Sequence, residues 1–160
     1  MRDELEKQLQ NDFPFMQKNR GEENSLYNLY GCECGDGWYD LIHELCQAIS
    51  DRYEQEGKEA DIVIFQVKEK FATLRFYYGY EDGSCSIALD LLGGPSLRFT
   101  PNDGGDEETV KLRNDIAGIV RSYEAKSGSV CVKCGKAGKI RKDLRWIRTL
   151  CEDCYSDYPK

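Results

Sequence analysis

Apolar positions recur at helical spacing in two segments of the chain, and each segment predicts an amphipathic helix. In GDGWYDLIHELCQAISDRYEQEG the apolar face is formed by Trp38, Leu41, Ile42, Leu45, Ile49 and Tyr53. Asp36 is placed to cap the start of this helix, and Gly57 can end it in the left-handed conformation. The second helix spans about residues 107–126, and its apolar face is formed by Leu112, Ile116, Ile119, Val120 and Tyr123.

The segment between these helices predicts β-strands. DIVIFQVKEKFATLRFYYGY is rich in Val, Ile, Phe and Tyr, and polar residues alternate with apolar ones along it. We predict two strands, over about residues 62–69 and 73–80, paired as an antiparallel hairpin through a short connection near residues 70–72. Within residues 81–108, SIALDLLGGPSLRFT predicts a further strand and a turn at residues 93–95.

These elements predict an α+β fold in which two amphipathic helices cover one face of a small antiparallel sheet. Residues 1–30 begin with a short charged helical pattern, but Pro14 and Gly21 argue against a long helix. We interpret this segment as an N-terminal arm. Residues 31–128 then form the α+β body, and residues 129–160, which contain two Cys-x-x-Cys pairs, form a C-terminal zinc-ribbon module.

The composition is that of a soluble globular protein. Hydrophobic residues make up 40% of the 160 positions and charged residues 32%, which argues against a disordered chain. No stretch reaches the roughly 18 apolar residues of a membrane span. The polar start MRDELEKQLQNDF lacks the apolar core of a secretory signal peptide. We therefore expect a cytoplasmic protein without membrane contact.

Four of the eight cysteines form two Cys-x-x-Cys pairs, Cys131 with Cys134 and Cys151 with Cys154, separated by sixteen residues. In a reducing compartment such pairs are typical of metal sites rather than disulfides. Each pair can turn both sulfurs towards one ion, and Gly135 can take the positive φ of a tight turn. Two pairs supply the four thiolates of a tetrahedral zinc site. The sequence therefore predicts one structural Zn2+ in a zinc ribbon.

A closed four-thiolate site has no open position for water or substrate, so its predicted role is to fold the ribbon. The competing interpretation is two redox dithiols, which would be expected beside a βαβ pattern that the sequence lacks. The P-loop, dinucleotide-binding and nucleophile-elbow motifs are also missing from the sequence. His43 is the single histidine, and HELCQ is not a metalloprotease motif because position 47 is Gln. We therefore assign no catalytic residue.

Charge is distributed unevenly along the chain, whose net charge is -7. Residues 131–160 carry eight Lys and Arg against four Asp and Glu, a net charge of +4, and residues 1–130 carry 14 against 25, a net charge of -11. A basic ribbon with a stacking aromatic side chain suggests an alternative function, nucleic-acid binding. Its candidate contacts are Lys139, Arg141, Lys142, Arg145, Trp146 and Arg148. Four thiolates on a divalent ion would lower the net charge of the ribbon to about +2, which weakens its attraction to phosphate.

The remaining cysteines are Cys32, Cys34, Cys46 and Cys85. Cys32 and Cys34 could form a second ligand set with His43, but their spacing matches no metal-binding pattern. Cys46 lies near the apolar face of the first helix and is predicted to be a small core residue.

A second alternative places a small anionic or nucleotide-like ligand on the α+β body. Its candidate residues are Asp36 and Trp38, at the start of the first helix, with Lys68 and Arg75 on the hairpin. Cationic side chains interleaved with tyrosines can receive such a ligand. The competing explanation is a solvated hairpin face whose lysines protect a sheet edge.

The order of three segments resembles a family of small uncharacterised proteins met in phage and bacterial genomes. The segments are CECGDGWYDLIHELC with its GDGW helix start, QVKEKFATLRFYY with its VKEKF-x-x-LRFY hairpin, and, after a helix, CVKCGKAGKIR with RWIRTLC. The resemblance covers about residues 32–80 and 112–154, and residues 81–108 look like an insertion. It implies a phage or bacterial setting and, because the family has no established activity, no catalytic residue.

Together these observations predict a non-catalytic, zinc-binding interaction protein of phage or prophage origin. Its expected partner is a host protein in the host cytoplasm, for instance a component of a defence system, with the acidic body complementing a basic surface. Two alternatives stay open, nucleic-acid binding through the ribbon and small-nucleotide binding on the body. The residues do not set the oligomeric state.

Overall fold

A computed structural model describes residues 1–18, 25–84, 87–89, 97–99 and 106–158. The described helices are α1 (Asp3–Asp12), α2 (Leu26–Tyr30), α3 (Tyr39–Gln55), α4 (Glu107–Lys126) and α5 (Glu152–Ser156). The described strands are β1 (Cys32–Glu33), β2 (Ile62–Lys70), β3 (Thr73–Tyr80), β4 (Ile87–Leu89), β5 (Leu97–Phe99), β6 (Lys139–Arg141) and β7 (Arg148–Leu150). Single turns of 3-10 helix span Pro14–Met16, Asp36–Trp38 and Ser127–Ser129. The fold is of the predicted α+β class.

The first predicted helix is α3, and its apolar face is buried as expected. The prediction that Asp36 caps this helix is wrong, because a 3-10 turn precedes α3 and Trp38 occupies the cap position. The Asp36 carboxylate instead accepts hydrogen bonds from the backbone N and the Nε of Arg2, at 2.8 and 2.6 Å. Gly57 ends the helix as predicted, with φ +63° and its N–H donating to the Glu54 carbonyl at 2.9 Å.

The predicted hairpin is confirmed. β2 and β3 pair antiparallel, with Lys70 opposite Thr73 at the closed end. Phe71 and Ala72 form the turn, and both have positive φ, 51° and 65°. A two-residue turn of this kind matches the twist of the flanking strands. The sheet is mixed and not purely antiparallel, because β1 pairs with β2 in parallel.

The second predicted helix is α4, which covers the outer edge of β3. The backbone N–H of Leu74 donates to Ser127 Oγ, just after α4, at 2.8 Å, and the N–H of Phe76 donates to Glu124 Oε1 at 2.9 Å. Both acceptors are buried, Glu124 at 1% exposure and Ser127 at 0%. The N–H groups of Leu74 and Phe76 lie on the edge of the sheet, where they would otherwise bind water. Side chains accept their hydrogen bonds instead.

Residues 81–108 contain a second, smaller sheet. β4 and β5 pair antiparallel, so the strand predicted in this segment is confirmed at Ile87–Leu89. The turn predicted at residues 93–95 lies outside the described residues.

One hydrophobic cluster joins the three segments that the sequence separates. Besides residues of α3, β2 and β3, it includes Leu9 and Phe13 from the N-terminal segment, and Val132 and Leu150 from the ribbon. The N-terminal segment and the ribbon therefore both pack on the body. The division of the chain into arm, body and ribbon at residues 30 and 128 stays a prediction.

Candidate metal centre

The four cysteines predicted as metal ligands come together at one point. Cys131 and Cys134 lie between the 3-10 turn Ser127–Ser129 and β6, while Cys151 precedes α5 and Cys154 lies within it. Their sulfur atoms are within 4.8 Å of one another, and Cys134 Sγ is 3.6 Å from Cys151 Sγ. Sulfurs at the corners of a tetrahedron with metal–sulfur bonds of about 2.3 Å lie about 3.8 Å apart. The sulfur positions therefore fit a tetrahedral metal site.

The electrostatics of the four thiols favour a bound cation. Although burial raises the pKa of Cys131, backbone hydrogen bonds from Cys151, Cys134 and Lys133 to its sulfur lower that pKa to about 7. Burial raises the pKa of Cys154, and the neighbouring thiols raise it further. Thiols this close do not ionise together unless a positive charge lies among them. A divalent metal supplies that charge and displaces the protons.

The donor set is that of a structural site. Cys131, Cys151 and Cys154 are at most 9% exposed, and Gly135 follows the first pair with the predicted positive φ of +79°. Within the described residues, this is the one group of three or more His, Cys, Asp or Glu side chains that could hold a metal. Four protein ligands complete a tetrahedral shell. The four cysteines are thus arranged to hold one metal ion.

The turn around the first cysteine pair is docked on the GDGW segment. Gly37 N–H donates to the Val132 carbonyl at 3.0 Å, and Trp38 Nε1 donates to the Val130 carbonyl at 2.8 Å. A Cβ at Gly35 would lie 2.1 Å from the Val132 oxygen, so only glycine allows this approach. Sequence reasoning placed GDGW at a helix start and missed its contact with the metal site. The available signal in the sequence was two glycines, Gly35 and Gly37, separated by one residue and followed by Trp38.

A second contact joins the ribbon to the tip of the β2–β3 hairpin. Thr149 is fully buried, and its Oγ1 donates to the Ala72 carbonyl at 2.7 Å. Ile140 of the ribbon and Thr73 of the hairpin also come together at Gly128. A side-chain atom of each lies 3.6 Å from the position that a Cβ on Gly128 would take. The metal site is therefore held against the body at two places.

Half of the residues proposed for nucleic-acid contact are engaged within the protein. Lys139 and Arg141 both pair with Glu152 at 2.9 Å, and Arg141 is only 7% exposed. Arg148 lies 3.9 Å from Glu69, a carboxylate whose side chain is 10% exposed. These three cations already have acidic neighbours.

The other half lie in the loop between β6 and β7. Lys142, Arg145 and Trp146 are all exposed, and Trp146 is the most exposed large hydrophobic side chain in the described residues, at 71%. A nucleic-acid contact through the six residues stays a prediction, with this loop as its accessible part.

The four residues proposed for a small ligand do not share one surface. Trp38 and Arg75 are buried at 0% and 1% exposure, and Arg75 Nη1 donates to the Leu74 carbonyl at 2.9 Å. Lys68 lies opposite Arg75 in the β2–β3 ladder. Asp36 lines a cavity of about 250 Å3 that none of the other three lines. A ligand site at these residues stays a prediction.

The remaining cysteines in the described residues are free thiols. Cys46 is fully buried in the core, as predicted, and Cys32 is buried beside it in the same cluster. Burial raises the pKa of Cys34 to about 12, so this thiol is protonated at neutral pH and unreactive. Cys85 lies outside the described residues.

Comparison with known proteins does not assign this chain to a family, so its class is described from its fold and its cysteine cluster alone. No protein-family model, no curated protein and no solved structure matches the chain. The four-cysteine cluster that formed part of the resemblance to small phage and bacterial proteins is present, but no matching family or relative supports the phage or bacterial setting. None of the helices among the described residues is long and apolar enough to cross a membrane. The chain is an α+β protein with a C-terminal cluster of four cysteines that could hold one metal ion.

Proposed function

We propose that this chain is a non-catalytic protein, stabilised by one structural zinc ion, whose function is to bind another protein. Zinc is supported by the four-thiolate donor set and by a sulfur spacing close to that of a tetrahedral site. An ion held in this way folds the ribbon and offers no coordination position to a substrate.

The observation that carries the proposal is a set of exposed apolar side chains on two adjoining hairpins. Trp146, Ile147 and Ile140 of the ribbon are 71%, 37% and 39% exposed, and Phe71 at the tip of the β2–β3 hairpin is 40% exposed. We call these four residues the ribbon apolar surface. Grouped apolar side chains of this size mark interaction sites, and tryptophan is among the residues that contribute most to binding at protein interfaces.

The charges of the ribbon favour a protein partner over a nucleic acid. Lys139 and Arg141 already pair with Glu152, so phosphate groups would have to compete with an existing carboxylate. Lys142 and Arg145 are exposed and suit a partner with acidic side chains around an apolar centre. The proposed contact therefore lies on the ribbon, together with Phe71 at the tip of the adjoining hairpin of the body.

The biological setting of the proposal comes from the sequence. The resemblance to small phage and bacterial proteins supports a phage or prophage origin, and hence a host protein as the partner, such as a component of a defence system. Paired cysteines that are free to hold a metal support a reducing compartment, the cytoplasm.

Site-specific photocrosslinking tests the proposal. A photoreactive amino acid replaces Trp146 in one variant and Lys111, an exposed residue of α4, in the control variant. Crosslinked proteins are identified by mass spectrometry, purified and titrated against the unmodified chain. We expect a protein that crosslinks from position 146 and not from position 111.

The affinity of the purified pair decides the role of the surface. Trp146→Ala should weaken binding by about 30-fold or more, the loss expected for a central interface residue, while Lys111→Ala should leave the affinity unchanged. An identical crosslinking pattern from both positions, or an unchanged affinity in Trp146→Ala, would rule out the ribbon apolar surface as the binding site.

Nucleic-acid binding is the second candidate, favoured by the exposed Trp146 next to Arg145 in a loop that also carries Lys142. A base stacked on the indole with two nearby cations would give weak, salt-dependent affinity. A gel shift that is abolished by raising the salt concentration and by Lys142→Glu with Arg145→Glu would support this candidate. A gel shift unchanged in the double variant would exclude it.

A further inference from the structure

A cavity of about 750 Å3 lies at the C-terminal end of α3, on the body and away from the cysteine cluster. Its walls come from four places: the 3-10 turn Pro14–Met16, the last turns of α3, the segment that leads into β2, and Glu81 just after β3. Its volume falls within the 300–1,000 Å3 that small-molecule sites usually have. A smaller cavity of about 240 Å3 adjoins it and shares four of its lining residues, among them Tyr53 and Asp61.

The charge of the larger cavity is strongly negative. Apart from tyrosine, its ionisable lining residues are four carboxylates and one ammonium group. The carboxylates belong to Glu54, Glu59, Asp61 and Glu81, and the ammonium group belongs to Lys58. The C-terminal end of α3 adds the negative end of the helix dipole, because the last turns of this helix form one wall. An anion such as a nucleotide is therefore disfavoured, and a cation is favoured.

The Asp61 carboxylate is half-exposed and pairs only loosely with a cation of the protein. Tyr53 donates to Asp61 Oδ1 at 2.6 Å, and burial, followed by this hydrogen bond, raises the pKa of Tyr53, which therefore stays a neutral donor. The Arg113 guanidinium is 3.5 Å from Asp61 but only 2.6 Å from Asp82, and it also stacks on the Tyr80 ring at 4.1 Å. Arg113 thus neutralises Asp82 more than Asp61.

The rest of the lining suits the carbon skeleton of a cation. Pro14, Phe15 and Ala60 contribute apolar surface, and Tyr53 adds an aromatic ring. Aromatic faces attract ammonium and guanidinium groups, while alkyl chains pack on the apolar side chains. Glu54 and Glu59 line the cavity and are exposed, and in the described parts of the chain no ion pair of theirs is found.

We propose that this cavity binds a small organic cation that carries one or more amine or guanidinium groups on an aliphatic chain. The Asp61 carboxylate binds one cationic group, and Glu54 and Glu59 bind a second one where the ligand has it. Two sources share this chemistry, a free polyamine and an arginine or lysine side chain of another protein. The site is separate from the ribbon apolar surface, so its test is independent of the proposed protein partner.

Calorimetric titration and thermal melting of the full zinc-loaded chain test the site, with spermidine as the polyamine probe and Nα-acetyl-arginine amide as the side-chain probe. Sodium chloride is added so that all samples have equal ionic strength, and ATP serves as the anionic probe. We expect a cation to bind and raise the melting temperature by mass action, and ATP to do neither. Binding of spermidine alone would identify a polyamine site, and binding of the arginine amide as well would identify a receptor for basic side chains.

Matched variants separate this site from a general attraction to an acidic protein. Glu54→Gln and Glu59→Gln should each weaken cation binding about two- to five-fold, and Glu4→Gln, which removes the same charge from the exposed face of α1, should not change it. Circular dichroism checks that all three variants are folded. The proposal is overturned if neither cation binds at millimolar concentration, or if Glu4→Gln weakens binding as much as the two cavity variants do.

Discussion

Replacing Gly37 with alanine should damage the metal site although no ligand is changed. A Cβ at Gly37 would lie 2.3 Å from the Cys131 carbonyl oxygen, 2.5 Å from the Cys134 nitrogen and 2.5 Å from the Gly135 nitrogen. Ordinary contacts of a Cβ begin at about 3.4 Å, so each distance is short by roughly 1 Å. All three atoms are backbone, which cannot rotate away as a side chain would.

The cost of the Gly37→Ala substitution can be worked out from these contacts. The turn that carries Cys131 and Cys134 must move by roughly 1 Å, an overpacking effect that costs about 1–3 kcal/mol. The same movement breaks the hydrogen bond from Gly37 N–H to the Val132 carbonyl, worth about 1 kcal/mol. We expect a total loss of about 2–4 kcal/mol in the free energy of unfolding, together with a weaker zinc affinity because two of the four sulfurs shift.

Two other glycines provide matched controls for this substitution. Gly118 lies inside α4 with no atom within 4 Å of its Cβ position, so Gly118→Ala should stabilise the protein by about 0.5–1 kcal/mol. Gly57 has equally open surroundings but φ +63°, so Gly57→Ala should cost about 1–2 kcal/mol through backbone strain alone. Neither control should change the zinc affinity.

Urea denaturation of the zinc-loaded protein measures the three stabilities, and competition with a chromophoric chelator measures the three zinc affinities. The expected order of stability is Gly118→Ala above wild type, then Gly57→Ala, then Gly37→Ala. The reasoning is refuted if Gly37→Ala binds zinc as tightly as Gly57→Ala, because the docking of the cysteine turn on GDGW would then not hold the ligands in place.

Three further predictions concern the ribbon and its contact with the body. Elemental analysis should find one zinc per wild-type chain and none in Cys151→Ser, and iron or no metal in the wild type would contradict the zinc assignment. Thr149→Val keeps the side-chain shape but leaves the buried Ala72 carbonyl without its donor, so urea denaturation should give a loss of about 1–3 kcal/mol. Burial raises the pKa of Glu69, and the nearby Arg148 lowers it by a smaller amount. The charged form of Glu69 is therefore disfavoured in the folded state. Glu69→Gln should therefore stabilise the protein at pH 8, with a smaller gain near pH 4, where the carboxyl is largely protonated in the folded and unfolded states, and equal destabilisation at both values would contradict this cause.

The elements that the sequence predicts well are those with a strong repeating pattern. The apolar faces of α3 and α4 and the alternation along β2 and β3 predict these elements within a residue or two. The Cys-x-x-Cys spacing likewise predicts that the four sulfurs come together, because each local turn restricts where its two sulfurs can lie.

The features that sequence reasoning missed depend on contacts between distant segments. The docking of Val130 and Val132 on Gly37 and Trp38 joins residues more than ninety positions apart, and periodicity carries no information on it. Asp36 fits the composition rule for a helix cap, but a tertiary contact with Arg2 and a 3-10 turn take precedence over that local preference. The cavity at the end of α3 is likewise formed by residues of separate segments.

The cover that α4 provides for β3 also bears on self-association of the protein. An edge strand with unoccupied amides is a template on which strands of other molecules can assemble. Here the amides of Leu74 and Phe76 are bound by Ser127 and Glu124, so that template becomes available only when α4 detaches. Any incoming strand would also have to displace the Glu124 carboxylate, which must then be hydrated again. We therefore expect chains cleaved just before α4 to polymerise along β3, while the intact chain stays protected from this route of aggregation.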